Sequence, residues 1–191
     1  MSSELACVTC ILDHLEREET ALCCHIGRAD VFTVAEQLVQ RLRDAGHTAL
    51  FANGFTPRPA WWNRFLPQSS VSWFAGTAGC SQKTAAEIIA QLPVSVHKRL
   101  SFNAGNPRCF LAVAALAYSR PDVLIYTTSG MDPLGRTTLQ SSIDNIAAGT
   151  RAIHILNSPD PDTNEGNCPS QSPMKCVCCS GECSQQDLWC R

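Results

Sequence analysis

Long apolar runs are missing from this chain. The longest nearly apolar stretch, Phe110 to Ala117, falls far short of the roughly 20 residues that a membrane-spanning helix needs. A basic start followed by an apolar core is missing too, because Glu4 and the acidic stretch from Asp13 to Glu19 stand where a secretory signal would place them. Both absences predict a cytoplasmic chain with no span of its own, peripheral to a membrane only through a partner. Charge of one sign is also lacking. With 15 Lys and Arg against 17 Asp and Glu, the net charge is −2, so the chain lacks the electrostatic footprint of a nucleic-acid binder.

What is there is apolar enough to fold. Hydrophobic residues make up 45% and charged residues 17% of 191 residues, which suits one well-packed domain with a tail rather than two ordinary domains. Cysteine is abundant, at 12. Cys7, Cys10, Cys23, Cys24, Cys80 and Cys109 lie in the body, and Cys23 and Cys24 read as small core residues. The other six, Cys168, Cys176, Cys178, Cys179, Cys183 and Cys190, crowd into the C-terminal segment. In a reducing compartment such a cluster points to a metal, zinc first, or to reactive thiols. The spacing is not the paired C-x2-C of a zinc ribbon, so a disordered or disulfide-forming tail stands beside the metal reading.

Composition divides the chain near Asn157. Residues 1–157 alternate apolar runs with amphipathic segments, whereas residues 158–191 are rich in Ser, Pro, Asp and Cys. In the body, Thr20–Cys24 reads as a buried strand, and a helix follows with Thr33 and Glu36 as a capping box and Val34, Leu38 and Leu42 on one face. Gly46 ends it, and Thr48–Ala52 is the second strand. After an irregular stretch from Pro57 to Pro67, carrying Trp61 and Trp62 as core filling or a docking patch, Thr84 and Glu87 mark another capping box. Pro107 opens a helix with Phe110, Leu111, Ala114 and Tyr118 on its face, and Pro121 stops it. Asp122–Tyr126 is a strand buried on both sides, Leu139, Ile143 and Ile146 line a further helix, and Ala152–Leu156 is the last strand. The order β-α-β, two helices, β-α-β predicts an α/β fold with a mostly parallel sheet covered by helices.

Leu100 to Asn157 carries a more specific pattern. Leu100-Ser101 precedes an alanine-rich helix, a hydrophobic strand Val123–Tyr126, and the phrase Thr128-Ser129-Gly130-Met131-Asp132-Pro133. This order resembles the ATP-binding cassette of ABC transporters, with its LSGGQ signature, Walker B strand and P-T-S-G-L-D phrase. The resemblance implies a P-loop NTPase-like fold with a reduced helical subdomain over residues 1–157. It puts Gly27, Arg28 and Asp30 at the Walker A loop, Gln68 at the Q-loop, Ser101 at the signature, Asp132 at the D-loop and Asn157 at the switch histidine.

The departures are as informative. A Walker A loop needs glycines, a Lys for the β/γ-phosphates and a Ser or Thr for magnesium. Here Ala29 and Asp30 stand at the next Gly and the Lys, with Val31 and Phe32 at the hydroxyl positions. Exchanging +1 for −1 at ~4 Å from a polyphosphate charge reverses about 8 kcal/mol at an effective dielectric near 20. The strand residue Tyr126 runs directly into Thr127-Thr128, without the Walker B Asp or catalytic Glu, and Phe102 and Asn103 replace the signature glycines. No catalytic residue is therefore expected. The reading is a non-catalytic or regulatory cassette-like module that pairs with another cassette or with a transporter subunit. Two alternatives stand beside it: an ABC ATP-binding protein that keeps residual binding of ATP and magnesium, and a metal-binding protein working through the tail. His25, His47, His97 and His154 have no metal spacing among themselves, and Ser129 has no nucleophile-elbow context.

Overall fold

The structure is a computed structural model that describes residues 21–25, 30–54, 67–156 and 175–176; for 21–25, 156 and 175–176 the description is of the backbone. Its elements are β1 (Ala21–His25), α1 (Val31–Asp44), β2 (Ala49–Ala52), α2 (Ser70–Ala78), α3 (Gln82–Gln91), a 3-10 turn (Leu100–Phe102), α4 (Asn106–Tyr118), β3 (Val123–Thr127), α5 (Pro133–Ile146), β4 (Arg151–Leu156) and β5 (Lys175–Cys176). The strands lie in the order β2-β3-β4-β1-β5, and β3 with β4, β4 with β1, and β1 with β5 pair in parallel. Parallel strands linked by helical crossovers make this an α/β fold, as the order of apolar segments predicted, and one consistent with the P-loop-like fold that the resemblance implies.

The described residues fall into two compact units. The first holds the described residues up to 51, residues 121–129 and the described residues from 149 onward; the second holds the described residues of 52–120 and residues 130–148. In the first, α1 buries Val31, Val34, Ala35, Leu38, Val39 and Leu42, a stripe at three- and four-residue spacing. That stripe packs on Val123 and Ile125 of β3 and Ile153 and Ile155 of β4. The residues between them, Leu124, Tyr126, Ala152 and His154, are equally buried on the opposite face. Burial of both faces is why DVLIY reads as a continuous apolar run. The β2 and β3 segments are registered by Asp122, whose carboxylate accepts from both the backbone N–H (2.7 Å) and the hydroxyl (2.7 Å) of Thr48.

In the second unit Phe74, Ala78, Ala85, Leu100, Leu111 and Ala114 form a separate core, with Ile88, Leu92 and Ile146 against it. Helix α2 is absent from the sequence reading, which expected two helices between the second and third strands. Its composition, SVSWFAGTA, has serines and a glycine that hide its period, and the signal lies in its ends: Ser69 caps it through the Ser72 N–H (3.0 Å), and Gly79 closes it in the left-handed region. Two caps also differ from expectation. Thr33 and Thr84 are third residues within their helices; the capping residues are Asp30 and Ser81, whose side chains accept from the Thr33 and Thr84 N–H groups. A hydroxyl at the third helical position mimics a cap in a sequence, because Ser or Thr is followed by the same apolar period.

Candidate nucleotide-binding site

In the first unit the expected site is the strand-to-helix junction β1–α1; because β1, β4 and β3 are parallel, the C-terminal ends of these strands lie at one end of the sheet. Gly27 and Arg28 lie outside the described residues. Asp30 is the N-cap of α1, with extended backbone. Its Oδ2 accepts from the Thr33 backbone N–H (2.9 Å) and from the Thr33 hydroxyl (2.8 Å), and its carbonyl accepts from the Val34 N–H (3.0 Å). The Thr33 hydroxyl and N–H hold the Asp30 carboxyl below the usual carboxylate range. A carboxylate of the chain itself thus stands on the helix's free donors, where the helix dipole favours an anion. Val31 is 3% exposed, and the Phe32 ring lies 6.0 Å from that of Phe51. Neither carries an oxygen for a magnesium ion.

The end of β3 is equally self-contained. The Thr127 hydroxyl donates to Ser129 Oγ (3.1 Å) and accepts from the Ser129 N–H (3.2 Å). The Thr128 hydroxyl pairs with His154 Nε2 at 3.2 Å, and the His154 ring stacks on Tyr126 with centroids 4.6 Å apart and planes 1° from parallel. Both rings are fully buried. Among the described residues no group of three His, Cys, Asp or Glu side chains is placed to hold a metal ion. This end of the sheet presents, among the described residues, hydroxyls and an imidazole paired with one another and no carboxylate, a donor set that does not fit magnesium coordinated by ATP.

Three other expected positions, Gln68, Ser101 and Asp132, lie in the second unit. Gln68 and Ser101 are brought near each other along the chain's own hydrogen bonds: the Gln68 carbonyl accepts from the Leu100 N–H (2.9 Å), and Ser69 and Arg99 form an antiparallel bridge. Ser101 is exposed on the 3-10 turn. The organiser of this loop is Asn103, which is buried. Its Nδ2 reaches Ser70 Oγ (3.0 Å) and the carbonyls of His97 (3.1 Å), Arg99 (3.2 Å) and Leu100 (3.3 Å), while its Oδ1 accepts from the His97 N–H (2.8 Å). The loop holds Phe102 outward, 62% exposed, with the His97 ring 4.9 Å and the Arg99 guanidinium 5.7 Å from its centroid.

Asp132 caps α5 by accepting from the Gly135 N–H (2.7 Å). It is also tied to the start of α4, because Asn106 Nδ2 donates to Asp132 Oδ2 (2.7 Å) and the Asp132 N–H donates to Asn106 Oδ1 (3.2 Å). The Gly135 N–H, then Asn106, hold this carboxyl below its ordinary range. A Cβ on Gly135 would meet the Asn106 amide, so the glycine makes room for the clasp. Gly105, before Asn106, has φ 56°, and only the Gly130 carbonyl, at 3.5 Å, would approach a side chain there. Gly105 and Asn106 escape the sequence reading, in which Asn103 figures only as the replacement of a signature glycine; Gly-Asn-Pro at a helix start is the signal that could have found the first two. A cavity of about 440 Å³ between α3, α4 and α5 is lined by residues such as Ile88, Leu92, Tyr118 and Asn145, with no charged group among its lining residues for a phosphate.

Asn157, Trp61 and Trp62 lie outside the described residues, as do all the tail cysteines except Cys176, which stands in β5. No helix among the described residues is long and apolar enough to cross a membrane.

No protein-family model and no curated protein matches the chain. Among solved structures it is similar to a bacterial Atm1-family ABC exporter with ATP bound, at a TM-score of 0.39 and 16% identity over 73% of this chain. It spans only 29% of that chain's length. A likeness at that level says nothing of activity, ligand or partner.

Proposed function

We propose that this chain is a non-catalytic module of ABC-cassette type that acts through a protein partner. The observation that carries the reading is the Asp30 cap. In a phosphate-binding junction the helix's first N–H groups stay free for the ligand; here Thr33 is spoken for by Asp30 at 2.9 and 2.8 Å. A polyphosphate entering that place would displace one anion and lie against it. The absence of a carboxylate from Thr127 to Met131 supports the same conclusion from the other side of the junction.

The partner half of the proposal is supported by the second unit. Phe102 and the flanking His97 and Arg99 are displayed on a loop that a buried asparagine braces, and Leu134, beside the Asp132 cap, is 77% exposed. Both lie in the segment that resembles the signature and D-loop. Exposed apolar residues on a braced turn and on the first turn of a capped helix suit a protein surface better than a small ligand. Another cassette or a transporter subunit is the partner the resemblance suggests.

Thermal unfolding of the purified chain with and without millimolar Mg-ATP tests the reading. A ligand present at 100 times its Kd stabilises by about 2.7 kcal/mol, so millimolar Mg-ATP held with a Kd of roughly 10 μM or below shifts the transition clearly. No shift and no phosphate release are expected. A saturable, magnesium-dependent rise in Tm would replace this reading with that of an ATP-binding protein.

A further inference from the structure

The parallel register places two cysteines side by side at the edge of the sheet. Residue Cys23 of β1 is the partner of His154 in β4 on one side and of Cys176 in β5 on the other. His154 in turn is the partner of Tyr126 in β3. The four residues therefore form one row across four strands, on the face opposite the one packed by α1. Adjacent strands run about 4.7–4.9 Å apart. That spacing lies within the Cα separation of about 4.4–6.8 Å that a disulfide spans.

We propose that Cys23 and Cys176 form a reversible disulfide that fastens the cysteine-rich C-terminal segment to the edge of the sheet. Among the described residues β5 is Lys175 and Cys176, and the second is a cysteine in register with a cysteine. Two residues of strand pairing stabilise little by themselves, so a covalent bond between the two cysteines would decide whether this edge pairing persists. A metal is the competing use of two thiols. Tetrahedral zinc takes four ligands, and the row offers two thiols and one imidazole whose Nε2 already pairs with Thr128 at 3.2 Å. A disulfide requires only the two.

The oxidant is a low-molecular-weight disulfide of the glutathione class. One cysteine thiolate attacks a sulfur of glutathione disulfide, forming a mixed disulfide and releasing one glutathione thiolate. The second cysteine, as thiolate, attacks the protein sulfur of that mixed disulfide and expels the second glutathione. One S–S bond breaks and one forms, two electrons pass from the protein thiols to glutathione, and the two protons lost from the cysteines end on the glutathione thiols. The closed loop runs from residue 23 to residue 176, so it restrains most of the unfolded chain.

The full chain, purified under reduction, is equilibrated in glutathione buffers of rising oxidised fraction, alkylated with N-ethylmaleimide and digested. The expected product is the Cys23 peptide linked to the Cys176 peptide, with a rise in Tm of the oxidised protein. Cys176→Ser should abolish both the linkage and the rise, Cys178→Ser should abolish neither, and Cys176→Ala should repeat the Cys176→Ser result. Unchanged far-UV circular dichroism of the reduced variants checks that they fold. Tail-to-tail linkages with Cys23 fully alkylated would overturn the proposal, as would a Tm rise that survives Cys176→Ser. Stoichiometric zinc in the reduced protein that shields both thiols from alkylation would overturn it in favour of a metal. None of these outcomes depends on whether the chain binds nucleotide.

Discussion

Helices α1 and α5 both begin on an aspartate, and the two are held differently. Asp30 turns back on its own helix: among the described residues its carboxylate is bonded within the first turn of α1, chiefly by Thr33. Asp132 caps its helix and also clasps Asn106 at the start of α4. The first cap satisfies an end; the second joins two ends. A cap that only closes its own helix can be lost with local fraying, whereas a clasp couples two helices, so the same residue type has unequal consequences.

The largest effect expected from breaking this contrast is that of Gly135→Ala. Its methyl group would occupy the space of the Asn106 amide, so either the clasp opens or α5 shifts. Overpacking of this kind costs about 1–3 kcal/mol. Chemical denaturation should show that loss, and Asn106→Ala in the same background should recover part of it by clearing the space. Full additivity of the two substitutions would show that the clasp does not exist in solution.

Smaller effects separate the caps themselves. Asn106→Ala alone should cost about 1 kcal/mol, the worth of a hydrogen-bonded amide. Combined with Asp132→Ala it should cost less than the sum, because both remove the same bonds; combined with Asp30→Ala it should be additive. Asp132→Ala should also lower Tm further than Asp30→Ala does. Equal falls in Tm would remove the distinction between an isolated cap and a bridging one.

How much of this was legible beforehand differs between the two ends. Asp132 sits in Thr-Ser-Gly-Met-Asp-Pro, where Asp before Pro at a helix start is a local signal, and the structure makes it an N-cap. Its clasp with Asn106 was not legible, because the two residues are separated by a whole helix and strand and nothing local in the sequence joins them. Asp30 was legible as a charge reversal against phosphate but not as a cap, since the Thr33–Glu36 pattern drew the helix start inward. The strands β3 and β4 were plain because both of their faces are buried, so their apolar runs are continuous. Helix α2 was hidden for the opposite reason: of its nine residues only Ser70, Phe74, Ala75 and Ala78 are buried, and two of these are alanines.

Acid should sharpen the comparison in a shared direction. Asp30, Asp132 and Asp122 all have folded-state carboxyls held below their ordinary value near 3.8, through the hydrogen bonds of Thr33, Gly135 and Thr48 respectively. A depressed carboxyl contributes stability above its unfolded value, and the contribution is lost as pH falls through the folded value. The Tm of the wild type should therefore fall below about pH 4 more steeply than that of Asp132→Asn or Asp122→Asn. All three carboxylates are exposed, so the differences will be small. Parallel curves for wild type and variants would show that these carboxylates are not what acid acts on.

The smallest expected effect is the most discriminating. Asp30→Ala removes the carboxylate from the start of α1 and frees the Thr33 donors, so it opens a helix N-terminus to an anion. If the blocking carboxylate were all that kept nucleotide out, Mg-ATP should now raise the Tm of this variant. We expect no rise, because a freed helix end is only part of what Mg-ATP needs. Val31 and Phe32 still provide no oxygen to magnesium, and the end of β3 still presents Thr127 and Thr128 engaged with Ser129 and His154. Asp30→Lys, which restores the positive charge as well, adds a partner for phosphate but again none for the metal. A magnesium-independent shift with Asp30→Lys would mark a simple anion site at a helix N-terminus. A magnesium-dependent shift in either variant would mean that the chain holds metal ligands other than Val31, Phe32 and the end of β3, and would overturn the proposal of a non-catalytic module.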